Sequence, residues 1–122
     1  MSFEGELTTY LKAHVALVNQ GVYPLRLPEG CALPALTYQV MTGRELHLAN
    51  YVEPSIMLTS WSKDHAAVIA VDDQVRDALE GFHGMMGAVH VRCQVGAPSD
   101  THEPDTGLYS RRREARPLYR HP

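Results

Sequence analysis

The spacing of hydrophobic residues along this chain switches between helical and strand periods, and the switches mark out its elements. Phe3, Leu7, Leu11, Val15 and Val18 recur at three- to four-residue intervals and predict an amphipathic helix, capped by Ser2 and closed by Gly21. Glu4 and Glu6 fall in its first turn, where carboxylates suit the exposed amide dipoles. Val22 to Pro28 reads as extended chain, because Pro24 and Pro28 each bias the preceding residue away from helix, and Glu29-Gly30 turns it. Residues 35–42 then alternate, with Leu36, Tyr38 and Val40 on one face and Thr37 and Gln39 on the other. Gly43 to Pro54 has no period and reads as a loop. Residues 55–61 form a second strand, Ile56 and Leu58 facing one way and Met57, Thr59 and Trp61 the other.

Ser62 and Asp64 open a second helix with the apolar stripe Val68, Val71, Val75, Leu79 and Phe82, and Gly81 sits where a C-terminal cap belongs. Asp72, Asp73, Asp77 and Glu80 lie largely off that stripe and read as a solvated face. Val89, Val91, Cys93 and Val95 alternate with His90, Arg92 and Gln94 in the cleanest strand of the chain. Gly96 to Gly107 reads as a long loop. A last strand spans roughly residues 108–119, where Pro117 argues for an edge position or a bulge. The order predicts an α+β fold: one domain over 1–122, with a mostly antiparallel four- to five-stranded sheet and two helices packed on one face.

Composition adds bounds. A chain of 122 residues buries about two thirds of its unfolded surface, enough for a real core. No apolar run has the length of a membrane span and the N-terminus lacks a signal pattern, so the protein is expected to stay where it is made. Cys31 and Cys93 form no C-x-x-C pair and are expected as reduced, buried thiols. The net charge of −3 hides an asymmetry: residues 110–122 carry five arginines against Glu114, giving +4, while residues 1–109 stand at −7. Such a split suggests a polar interaction end, with nucleic acid as one possible partner.

The sequence carries no recognisable catalytic motif. Lys12 and Lys63 are the only lysines and neither follows a glycine-rich turn, so there is no phosphate loop. No G-x-S-x-G elbow supplies a nucleophilic serine. The seven histidines include no pair spaced by three or four, as two ligands on one helix face require, although His83 and His90 flank a turn and can meet in space. Cys93 alternates with valines and reads as core. No catalytic, metal or cofactor residue is assigned, and an enzyme is unsupported.

Three stretches carry a resemblance. Tyr23-Pro24-Leu25-Arg26-Leu27-Pro28-Glu29-Gly30 with Leu33-Pro34-Ala35-Leu36-Thr37-Tyr38-Gln39, then Trp61 before a helix ending Ala78-Leu79-Glu80-Gly81-Phe82, then Glu103-Pro104-Asp105-Thr106-Gly107-Leu108-Tyr109 follow one another over nearly the whole chain. Together they resemble the tail-completion, or tail terminator, proteins of long-tailed phages, also called tail-to-head joining proteins. Family members usually continue with an arginine-containing strand that alternates apolar residues, whereas Ser110 to Arg116 is mostly arginine here and Pro117 interrupts the strand.

The resemblance implies a structural protein with no active site and no cofactor. It implies a homo-hexameric ring on the finished tail tube, which stops tube growth and meets the neck of the DNA-filled head. The implied partners are copies of itself, the major tail tube protein, the head-completion or stopper protein, and the tape measure protein. Genomic DNA passes through without sequence-specific binding, and no membrane is involved. The implied place is the tail–neck junction of the virion, after assembly in the host cytoplasm. A domain of this length has a diameter of roughly 35 Å, and six touching spheres leave a hole one sphere wide, so duplex DNA fits.

On that reading Met41, Met57 and Trp61, left on the sheet face away from the helices, are candidate subunit-interface residues; the alternative is that loops of the same monomer cover them. Asp100, Glu103 and Asp105 make an acidic channel or partner loop that repels passing DNA. Arg111, Arg112, Arg113 and Arg116 form a candidate partner-binding segment, with ion pairing to a neighbouring protein favoured over DNA. Strand alternation puts Arg111 and Arg113 on one face and Arg112 on the other. Two other readings stay open: a head-completion or stopper ring of the same neck, and a nucleic-acid-binding module using the C-terminal arginines. A cryptic metalloenzyme is disfavoured by the histidine spacing.

Overall fold

The computed structural model describes residues 3–46 and 51–120, the side chains of 42–46 excepted; Ser2, His47 and His121 lie outside the described residues. Helix α1 spans Phe3–His14 and is followed by a 3-10 turn at Ala16–Val18. The helical period therefore outlasts the α-helix itself. Asn19 and Gln20, at φ of 48° and 71°, make the left-handed exit. Gly21 is required for a different reason: a Cβ there would sit 2.8 Å from the Val18 carbonyl oxygen. Helix α2 spans His65–Leu79, and the Asp64 carboxylate caps it by accepting the Ala66 N–H at 3.1 Å. Gly81 follows at φ +68°, the left-handed position expected beyond a helix end.

Seven strands form one sheet: β1 Val22–Pro24, β2 Ala35–Leu46, β3 Tyr51–Ser62, β4 His83–Met86, β5 Val89–Val95, β6 Ser99–Glu103 and β7 Leu108–Arg120. The lateral order is β1-β2-β3-β7-β5-β4, with β6 also paired to β7, and only β1–β2 is parallel. The α+β class stands, but the sheet has more than the expected four to five strands. The expected loop at 43–54 is instead mostly hairpin: β2 and β3 stay paired out to Leu46 opposite Tyr51. The expected loop at 96–107 contains β6, which extends the β5 edge along β7 from Ser99 opposite Arg112 to Glu103 opposite Leu108. Its sequence, Ser-Asp-Thr-His-Glu, is exposed throughout and has no apolar alternation to betray a strand.

Pro117 is in a central strand, not at an edge. Strand β7 is flanked by β3 on one side and by β5 and β6 on the other. Pairing between β3 and β7 runs from Ser62 opposite Tyr109 to Ile56 opposite Ala115, lapses, and resumes in the same register at Val52 opposite Tyr119. That register places Pro54 across from Pro117. Neither residue has an N–H to give, so the missing ladder bonds coincide at one gap and the pairing on either side of it keeps its register.

Both helices cover one sheet face. The core joins Leu7, Leu11 and Val15 to Val71, Val75 and Leu79 over Leu36, Ile56, Leu58, Val91 and Cys93. Phe3 stacks on Tyr119 with ring centroids 4.3 Å apart, and the Tyr10 hydroxyl donates to the Ala78 carbonyl at 2.7 Å. The β4–β5 turn tucks under α1 at Gly87, φ +58°, where an added Cβ would overlap the buried Glu6 carboxylate. Gly87→Ala is expected to lower stability by more than about 1 kcal/mol, since left-handed backbone alone costs alanine roughly 1–2 kcal/mol. A urea midpoint within error of the parent's would contradict this.

Candidate functional site

Strand parity decides what the open face displays. Thr37 and Gln39 of β2, Met57, Thr59 and Trp61 of β3, and Ser110 and Arg112 of β7 all point away from the helices and share a shallow cavity of about 290 Å³. Met41 joins them at a β-bulge, where the register shifts between Val40 and Thr42. The structure thus brings Met41, Met57 and Trp61 together, with Met41 51% exposed. The Trp61 indole N–H donates to the Thr37 hydroxyl at 2.9 Å, which fixes the ring orientation. Leu25 flanks the cavity from the segment after β1 and is 68% exposed. Its φ is +65°, a conformation costing a non-glycine residue about 1–2 kcal/mol, held by its N–H donating to the Tyr38 carbonyl at 2.8 Å. A strained leucine held out in solvent beside a tryptophan and two methionines is the composition of a contact surface.

A second depression, of about 300 Å³, lies on the same face above the Pro54–Pro117 gap, lined by Glu53, Arg92, Gln94, Arg116 and Leu118. The Arg116 Nε donates to Glu114 at 2.7 Å, and the Ser55 hydroxyl donates to the same carboxylate at 2.9 Å. The Ser55 bond, then Arg116, hold the Glu114 carboxyl below its usual range. Arg92 makes no ion pair with a described residue.

The arginine segment divides as strand alternation expects, with a consequence for its proposed role. Arg113 is buried: its Nε and Nη2 reach the two oxygens of Asp72 at 3.0 and 2.7 Å, and its Nη1 reaches the Gly96 carbonyl at 2.7 Å. The Asp72 hydrogen bond raises the arginine's pKa. Arg113 is therefore committed within its own chain. Asp72 is not part of a solvated face but 1% exposed, because the guanidinium beneath α2 supplies the partner that burial demands. Arg111, on the same face, grips Asp100 through Nε and Nη2 at 2.7 and 3.0 Å. Arg112 and Arg116 point to the open face.

The acidic segment changes character too. Asp100 sits on strand β6, bound by Arg111 and by His65 Nε2 at 3.1 Å, and its carboxyl is lowered to about 2, chiefly by the Arg111 hydrogen bond. Glu103 accepts the Thr106 hydroxyl at 3.2 Å and lines the open-face cavity. Asp105 occupies the turn before β7. The three acids are thus spread along the β6–β7 hairpin, from Asp100 opposite Arg111 to Asp105 in the turn, rather than on a loose loop.

His83 and His90 do meet, rings perpendicular with centroids 5.0 Å apart, but among the described residues no group of three or more His, Cys, Asp or Glu is placed to hold a metal. No described helix is long and apolar enough to cross a membrane. Cys31 and Cys93 are both free thiols; Cys93 is buried, and burial pushes its pKa up to about 12. A bulky thiol reagent at neutral pH is expected to modify only Cys31 in the folded protein and both thiols after unfolding. Two modified thiols per native chain would contradict that.

Sequence reasoning missed Leu25 and Arg92. Parity pointed Arg92 outward, but only the sheet order shows that it stands beside Arg116; nothing in the sequence signals a left-handed leucine.

The family described as "Tail completion protein gp17" matches residues 5–119. No curated protein matches the chain. A chain of the solved structure described as "Virion of native gene transfer agent (GTA) particle" shares the fold, with a TM-score of 0.68 at 13% identity, over 97% of this chain and 98% of that one.

Proposed function

We propose, from the premise that this chain belongs to the tail completion protein family and is a structural protein of phage tails, that it ends the tail tube as a ring of six copies and joins the tail to the neck of the head. The observation that carries this reading is the open sheet face. It sets Met41, Met57, Trp61 and the strained Leu25 around one shallow cavity, on a domain whose other face is already covered by helices. A lone small protein gains nothing from such a face, whereas a subunit does. The working parts are shape and surface charge, and no catalytic step is assigned.

The ring seats on the major tail tube protein, stops further addition of tube subunits, and offers its other side to the head-completion or stopper protein. Genomic DNA passes through the opening, and the tape measure protein is a further contact inside it. Electron microscopy of the purified protein, alone and mixed with tube protein, tests the reading. Rings with a central opening, and caps confined to tube ends, are expected. Particles lacking the protein should carry overlong tails unattached to heads. Heads that leak DNA while their detached tails keep a normal length would assign the protein to the stopper position instead.

A further inference from the structure

The surface of this domain is electrically two-sided. On the helix layer, Asp73 and Asp77 of α2 and Glu80 at its C-cap follow at i, i+4 and i+7 and form one stripe about 10 Å long. Asp77 and Glu80 are 75% and 62% exposed, and Arg76 alone interrupts them, 3.7 Å from Asp77 and 3.8 Å from Glu80. On the opposite side, Arg92 of β5 and Arg116 and Arg120 of β7 take outward, exposed positions, with Glu53 and Glu114 beside them. Arg92 and Arg116 are diagonal neighbours, since Gln94 is opposite Arg116 and Arg92 opposite Leu118, which spaces their backbones by about 7–8 Å. Arg116 and Arg120 are about 13 Å apart along β7. The two patterns match in scale and carry both signs in opposite proportion.

We propose that the acidic stripe of α2 on one copy seats against the Arg92–Arg116 depression on the open sheet face of the next. This rests on the ring reading and adds which two surfaces meet. Asp77 and Glu80 supply carboxylates to Arg92 and to Arg116, which also holds Glu114, and Arg76 meets the acidic side of the depression. The contacting surfaces differ and lie on opposite sides of the domain, so the contact is head-to-tail, the kind that closes rings. Duplex DNA is the other partner exposed arginines suit. The interleaved Glu53 and Glu114 repel a phosphate backbone, however, and Leu118 and the neighbouring Trp61 cavity gain nothing from one. A helix face carrying both signs complements a depression that also carries both.

Charge reversal tests this with the full-length chain. Arg92→Glu/Arg116→Glu makes both surfaces acidic, and Asp77→Lys/Glu80→Lys makes both basic. Native mass spectrometry at low salt should find each variant folded, by circular dichroism, and at least tenfold weaker in assembly than the unaltered chain. Mixing the two variants should restore rings in which they alternate, and raising salt should weaken the mixed and unaltered rings alike. Rings formed by each variant alone at unaltered concentration would overturn this contact and leave the ring reading standing, as would a mixture that stays monomeric. If the arginine reversal abolishes salt-sensitive retention of duplex DNA and leaves assembly untouched, the depression binds DNA and the proposal fails. An unaltered chain that never assembles, alone or on tube protein, overturns both.

Discussion

Replacing Asp72 with alanine is expected to remove about 3–5 kcal/mol of folding stability, because it leaves the Arg113 guanidinium buried without its counter-charge. Arg113 is 7% exposed and spends three hydrogen bonds on Asp72, at 2.7, 3.0 and 3.2 Å, with a fourth to the Gly96 carbonyl. These bonds tie α2, β7 and the connection between β5 and β6 to one point, so the loss spreads across three elements. The arginine's pKa is raised, so its stabilisation is fully present below the ordinary arginine value and is lost only at pH above it. The defect should therefore be constant through the neutral range. The double variant Asp72→Leu/Arg113→Met should recover most of the loss, since a buried pair exchanged for apolar residues of similar volume is often neutral or better. Urea midpoints at unchanged slope measure all three. A single variant within about 1 kcal/mol of the parent would show that water reaches the site and that the pair is dispensable.

That pair also marks where sequence reading reaches its end. Asp72 stands between Val71 and Asp73 on a helix whose stripe is read from valines, a leucine and Phe82, and a carboxylate beside that stripe is ordinarily solvated. What pulls it inward is Arg113, 41 residues away, and that register depends on β7 lying in the middle of the sheet. Parity correctly divided Arg111 and Arg113 from Arg112, because alternation is a local property of any strand. Which face was inner required knowing which strands flank it. Pro117 failed as a guide for the same reason. A proline is tolerated in this central strand because Pro54 faces it in the same register, so the missing ladder bonds fall together in one gap and pairing resumes beyond it.

Elements with apolar periods were legible: α1, α2, the first half of β2, β3 from Ser55 onward and β5, while β7 was legible as a strand without one. The missed strands lack that signal. β6 has no hydrophobic residue, and β4 is the four residues His83–Met86 with a glycine inside. Both exist because a long neighbour, β7 or β5, offers an open edge, which is a tertiary cause. For the candidate site, Met57 and Trp61 were legible because both alternate with the inward-facing Ile56 and Leu58. Met41 kept its place only because the bulge falls immediately after Val40. Leu25 was beyond reach: its value lies in a backbone conformation that leucine has no preference for.

Trp61→Ala is expected to abolish ring assembly while leaving a folded monomer. Within the monomer the indole is only half-buried and makes one hydrogen bond, to Thr37, so truncation there is a modest loss. At a subunit contact a central tryptophan is worth about 2 kcal/mol or more. A closed ring repeats each contact once per copy, so the loss reaches roughly 12 kcal/mol over a ring of six. Trp61→Phe separates the two contributions, since it keeps an aromatic ring in the cavity but cannot donate to Thr37. It should assemble, at a concentration between those of the parent and the alanine variant. Native mass spectrometry reads the assembly and thermal melting reads the monomer. A fully assembled ring from Trp61→Ala, with unchanged melting, would remove the open-face cavity from the subunit contact. Loss of melting and assembly together would make Trp61 a support of the monomer and return Met57 and Met41 to the same status, because all three rest on that one cavity.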